Sequence, residues 1–350
     1  MTDSSSWWRT LLLLVGGSVL FFASAACAQP VSRPPEARPQ PGIDVQEYDF
    51  DLTLADTTDR IEGTAMVRLR VTTDTLTAVR LDLVGPPVAQ GDPGMRVASV
   101  TEEGTAVPHT HTGDILRITP DAGLTDDATH TFRIRYAGVP TDGLIIGTNR
   151  HGDRTFFGDN WPNRARHWLP VEFRVTAPAE YEVVSNGALV SDSTAGDTRI
   201  THWRTDVPLA PKVMIIGVAD FAIDTVATVD GVPVQSWVYP EDREVGFKDL
   251  GQAPPILRFF EENLGPYPYE KLANVQSATR YGGMENAAAI FYSEDAVADG
   301  EDSTPLLAHE IVHQWYGNTV TEADWPHLWL SEGFATYLTG LYLGHARGEA

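Results

Sequence analysis

His309, Glu310 and His313 read HEIVH near the end of the chain, and Glu332 follows after eighteen intervening residues. Histidines at i and i+4 fall on one face of a helix, so both imidazoles reach a single metal ion. Glu310, beside the first histidine, is placed to act as a general base toward water. With Glu332 as third ligand the set leaves a coordination position open, which marks a catalytic rather than a closed structural site. Two neutral imidazoles and one carboxylate suit one Zn2+ ion, tetrahedral and redox-silent. The implied reaction class is metal-assisted hydrolysis.

The surroundings of these residues argue for buried helices. Residues 306–320 read LLAHEIVHQWYGNTV, in which Glu310 is the only Asp, Glu, Lys or Arg. A helix apolar on nearly every face is a buried one, and the pattern predicts it over 304–316. Residues 329–343 repeat the case around a lone Glu332 and predict a helix over 331–343. Burying two imidazoles and two carboxylates without partners costs several kcal/mol, which a metal and its water relieve.

The elements that position these residues change character along the chain. From Val45 to about Tyr239, short alternating runs are bounded by Gly, Pro and Asp, as in residues 48–54, 66–71, 79–83, 132–136, 172–175, 181–184, 212–218 and 234–239. This pattern predicts an antiparallel sandwich or barrel over 43–239. After 240 the reading is a helix over 256–264 stopped by Gly265-Pro266, a strand over 272–277, and a glycine-containing edge at 281–286. Residues 240–350 therefore form the catalytic part.

Acidic residues number 48 against 25 Lys and Arg, a formal net charge of −23, and only Lys212, Lys248 and Lys271 are lysines. Nothing resembles a basic footprint, so no nucleic-acid partner is expected. Arg9, an apolar run over 11–22 and small residues at 23–28 read as an export signal over 1–28, too short in its apolar core for a stable membrane span. Cleavage before Gln29 would release the protein to a periplasmic or extracellular space; lipidation of Cys27, the only cysteine, is the competing route. Residues 29–42, rich in Pro, Gln, Arg and Gly, read as a flexible tether.

Three motifs together, YGGMENAAAIFY, LLAHEIVHQWYGN and WLSEGFATYL, resemble the aminopeptidase N family of zinc peptidases, the gluzincins that include leukotriene hydrolase. The resemblance is strongest over residues 255–345 and looser in the β part, at FFGDNWPNRARHWLP and VVSNG. It implies a mixed fold: an all-β, saddle-like N-terminal sandwich followed by a thermolysin-like α/β catalytic domain, incomplete at its C-terminal end. It implies His309, His313 and Glu332 as zinc ligands and Glu310 as general base. Gly282, Gly283, Met284, Glu285 and Asn286 would bind substrate, with Glu285 holding the free α-amine of a peptide. A carboxylate one residue's length from the zinc measures out a single N-terminal residue. Side-chain-free Gly282 and Gly283 would let substrate backbone approach as an added strand. The family's first specificity pocket would fall near Asn160 and Trp161, with Trp161 read equally as core. Two departures stand out. The turn after residues 166–170 is roughly ten residues shorter than the family pattern, in a region where short loops are tolerated. The family's oxyanion-donating tyrosine and helical C-terminal domain would lie beyond Ala350, so the resemblance implies a fragment with weak turnover. Competing readings are a thermolysin-like endopeptidase and a zinc-binding but catalytically weak protein.

Overall fold

The computed structural model describes residues 40–86, 93–168, 173–323 and 325–348. The expected export signal, Cys27, residues 29–39 of the tether and the junction at 169–172 lie outside the described residues. Among the described residues, no helix is long and apolar enough to cross a membrane.

Alternation builds the β part. In Ile61–Val71 the odd-numbered residues are buried, so Ile61, Ala65, Val67, Leu69 and Val71 face the core while their neighbours face outward. This strand pairs antiparallel with Ile43–Thr53 on one side and Thr129–Val139 on the other. Ile43–Thr53 pairs parallel with Phe173–Pro178, and the sheet extends to eight strands, ending at the Ala188–Ala195 edge. A four-stranded sheet formed by Leu144–Thr148, Arg154–Gly158, Ile216–Ala219 and Glu182–Ser185 packs its Phe156 and Phe157 into the same apolar core.

A third sheet of five strands carries the chain into the catalytic part. Its order is Ala222–Val229, Val232–Val238, Leu272–Ser277, Ala289–Ser293 and Gly283–Met284. The change of character read near residue 240 thus falls within a sheet, because two strands from before it pair with three from after it. Leu272–Ser277 is buried along its whole length, as a central strand covered on both faces must be. The helices are α1 (Arg243–Leu250), α2 (Ala253–Leu264), α3 (Thr304–Val312) and α4 (Trp329–Arg347). Helix α2 stops at Gly265, whose φ of +106° favours glycine. Helix α3 packs between α2 and α4 and touches the Gly283–Met284 strand.

Two expectations are corrected, and one element was not anticipated. Helix α3 ends at Val312, four residues before the predicted end, because the chain turns at 313–315 to form a bridge between Tyr316 and Val320. Residues 211–213 form a 3-10 turn, begun by Pro211, rather than the start of a strand, which begins at Ile216. Helix α1, weakly amphipathic, carried no strong periodic signal and was not expected.

Candidate metal centre and substrate edge

His309 projects from the last turn of α3. His313, the residue just past the helix, keeps right-handed helical geometry at φ −57° and ψ −22°. The i, i+4 stacking therefore survives the early helix end, with the two Nε2 atoms 3.2 Å apart. Glu332, in the first turn of α4, brings Oε2 to 3.5 Å from His309 Nε2 and 3.7 Å from His313 Nε2. All three ligand atoms lie within 4.8 Å of one another. Three atoms able to present lone pairs toward one point are the donor set of a cation, so the residues fit a zinc ion.

The support behind His313 was not legible in the motif. Its Nδ1–H donates to the Tyr316 carbonyl at 2.9 Å, which leaves the Nε2 lone pair free for a metal. Ser331 Oγ lies 3.2 Å from the same Nδ1. Gly317 at φ +120° makes this possible: a side chain there would run into Ser331 Oγ and the imidazole. A buried ion pair, Lys212 Nζ to Glu322 Oε1 at 2.6 Å, ties the segment between α3 and α4 to the β part.

The carboxylates divide by burial. Glu332 is the more open, while Glu310 and Glu285 are each only 5% exposed. Burial drives the Glu310 carboxyl up to about 8; His313 opposes this, and Glu285 and Glu332 add to it. Burial alone would lower His313, yet the hydrogen bond to Glu332 and the negative charges around it carry it up to about 9. Burial works upward on Glu332 too, but His309 and His313 hold it well below the usual carboxylate range.

These shifts make a prediction for the metal-free chain. Glu310 and His313 both have raised folded values, so each contributes stability that is complete below its unfolded value. That stability is lost as pH rises through about 8 and about 9 respectively. Glu332 acts at the other end, its contribution disappearing only as pH falls below the carboxylate range. Zinc requires both imidazoles unprotonated, so the gain in Tm on adding zinc should grow from about pH 6 to 9 while the metal-free Tm falls. Thermal melts across that range with and without zinc check this, and a zinc gain that shrinks with rising pH contradicts it.

The substrate-binding residues read from the sequence separate into distinct places. Gly283 and Met284 form the last strand of the five-stranded sheet, pairing with Tyr292 and Phe291. Gly282 has open space where a side chain would stand. Gly283 does not: a Cβ there would overlap the Glu310 carboxylate. Met284 is buried among core residues and Asn286 is wholly buried with neither side-chain polar atom hydrogen-bonded. Glu285 Oε1 is likewise buried without a partner. Asn160 has a structural role, accepting from Trp168 Nε1 at 2.9 Å and donating to the Met214 carbonyl. Trp161 stands edge-to-face with Tyr281 and Trp325, at centroid distances of 5.7 and 5.9 Å, so the aromatic cluster adjoins Gly282 along the chain. Tyr342 is core, packed on Phe259 and Phe260.

His309 at the end of α3, His313 just past it and Glu332 of α4, with a buried carboxylate beside them and a sheet edge alongside, make up a candidate zinc centre. Residues 249–350 match the Peptidase family M1 domain. Over 184 residues the chain is 32% identical to leucine aminopeptidase 2 of Saccharomyces cerevisiae, covering 51% of this chain and 26% of that protein. Aminopeptidase N of Oryctolagus cuniculus is 31% identical over 195 residues, 50% of this chain and 20% of the relative. The chain thus spans about a quarter or less of the length of these curated relatives. The M1 zinc metallopeptidase from Deinococcus radiodurans shares the fold with a TM-score of 0.73 at 25% identity, covering 88% of this chain and 72% of that one. The resemblance drawn from the three motifs holds, and the metal of the family is zinc.

Proposed function

We propose that this protein is a zinc aminopeptidase that removes single residues from the free N-terminus of peptides. The observation that carries the reading is the pairing of a buried Glu310 at the metal centre with a second buried carboxylate, Glu285, whose Oε1 has no partner. An orphaned buried carboxylate oxygen costs about 1–3 kcal/mol or more, and a substrate ammonium is the partner that relieves it. Zinc held by His309, His313 and Glu332 would act as a Lewis acid toward the scissile carbonyl and acidify water. Glu310 takes the proton from the attacking water on its carboxylate and passes it to the departing amine. Its raised proton affinity suits that exchange, and a cation held by the neighbouring ligands would lower it. Glu285 pairs with the α-ammonium and sets which bond is presented.

Glu285→Gln tests the reading. It is expected to lower kcat/KM on aminoacyl chromogenic substrates by about 30-fold, near 2 kcal/mol, with zinc content unchanged. A thermolysin-like endopeptidase would cleave N-blocked peptides internally and lose little in the same variant. Full activity of Glu285→Gln on free-amine substrates would sink the aminopeptidase reading.

A further inference from the structure

The segment from Glu285 to Ala288 is buried yet is not regular strand, so its backbone groups need partners from elsewhere. Asn286 N–H donates back to the Met284 carbonyl at 2.8 Å in a tight turn, and Ala288 adopts φ +64°, left-handed for a residue with a Cβ. Three buried side-chain amides supply the partners. Gln314 Nε2 donates to the Glu285 carbonyl at 2.9 Å, with the Asn286 carbonyl at 3.5 Å. Gln314 Oε1 accepts from the Ala288 N–H at 3.0 Å. Asn318 Nδ2 donates to the same Glu285 carbonyl at 2.7 Å. Asn186, from the β part, donates to the Ala287 carbonyl at 2.6 Å and to the Val213 carbonyl at 3.0 Å, and accepts from the Ile215 N–H.

Gln314 is singular among the three. It is bonded directly to His313, the buried metal-ligand candidate, and it is fully buried. One residue therefore joins the metal centre by its backbone and the Glu285 backbone by its side chain. Two donors, from Gln314 and Asn318, converge on the Glu285 carbonyl and occupy both of its lone-pair directions. The Glu285 main chain is held against the 313–318 turn and is not free to slide along the sheet edge.

We propose that Gln314, assisted by Asn318, is the positioning residue that fixes the span between the metal centre and the Glu285 carboxylate, and so sets the cleft to a single residue. This rests on the aminopeptidase reading. Gln314 touches neither metal nor substrate; it acts through the main chain of Glu285. An amide is required because it must donate to a carbonyl and accept from an N–H at once. Leucine has neither group, and glutamate turns an acceptor toward two carbonyl oxygens.

The test compares wild type, Gln314→Leu, Gln314→Glu and Asn318→Ala by zinc analysis, thermal melts and calorimetric titration with leucine and N-acetyl-leucine. Wild type is expected to favour free leucine over the acetylated form. Both Gln314 variants should keep one zinc per chain and lose that preference by about tenfold, and Asn318→Ala by about threefold, as a lost hydrogen bond at a buried position predicts. Variants that lower Tm but leave the preference intact show a purely structural role and overturn the proposal. If the Gln314 variants fail to fold, an unchanged preference in Asn318→Ala overturns it and a reduced one supports it. A wild type that does not distinguish the two ligands removes the aminopeptidase reading itself, and this inference with it.

Discussion

Glu310→Gln is expected to retain one zinc per chain and to lose about three orders of magnitude in kcat, the scale of a removed general base. The substitution is nearly isosteric, so the packing against Gly283 survives. His309, His313 and Glu332 are untouched, and they are the ligand atoms that converge. What disappears is the carboxylate placed to accept the proton. The variant should also be no less stable than wild type when metal-free. Burial disfavours the Glu310 charge, and Glu285 and Glu332 add like-charge repulsion. Replacing the carboxylate with a neutral amide removes that penalty above about pH 8. Metal analysis, a thermal melt and turnover of an aminoacyl chromogenic substrate are sufficient. If zinc is lost together with activity, Glu310 organises the metal centre and is not the base.

The three donors that converge, His309, His313 and Glu332, were legible because they sit in one helix repeat and as one lone carboxylate in an apolar segment. His309 and His313 needed only the i, i+4 rule, and the strand at Leu272–Ser277 was read as the extended stretch after the helix stop at Gly265-Pro266. The end of α3 was not legible. The apolar pattern continues through Trp315 and Tyr316, and periodicity cannot distinguish a buried helix from a buried turn. Yet the turn matters, since the Tyr316 carbonyl that orients His313 is available only once the helix has ended. Asn186 lay further out of reach. Its bond to the Ala287 carbonyl spans 101 residues and joins segments that flank two different sheets, so no local pattern encodes it. Glu285 was singled out for its neighbours in sequence, but the orphaned state of its Oε1 is visible only in the packed molecule.

The two glycines of the GGMEN edge were read alike from the sequence, as open backbone for substrate, and the structure separates them. Gly282 faces space, whereas a Cβ on Gly283 would coincide with the end of the Glu310 side chain. Something must move in Gly283→Ala. The strand has little freedom to withdraw, since Gly283 and Met284 pair with Tyr292 and Phe291. Glu310 is the group that yields, and it is 5% exposed with little room to relocate without loss of its position beside the ligands. A displacement of about 1 Å at a reacting group costs on the order of 10²-fold, so Gly283→Ala is expected to lower kcat by about that factor with zinc content unchanged. Gly282→Ala meets nothing within 4 Å and should stay within a few-fold of wild type, the usual range for a substitution that breaks no contact. If the order is reversed, with Gly282→Ala the more damaging, the glycines serve substrate approach and the Glu310 carboxylate is not held by Gly283. If both are silent, Glu310 has freedom to shift that its burial does not suggest, and its placement as the proton acceptor has to be reassigned.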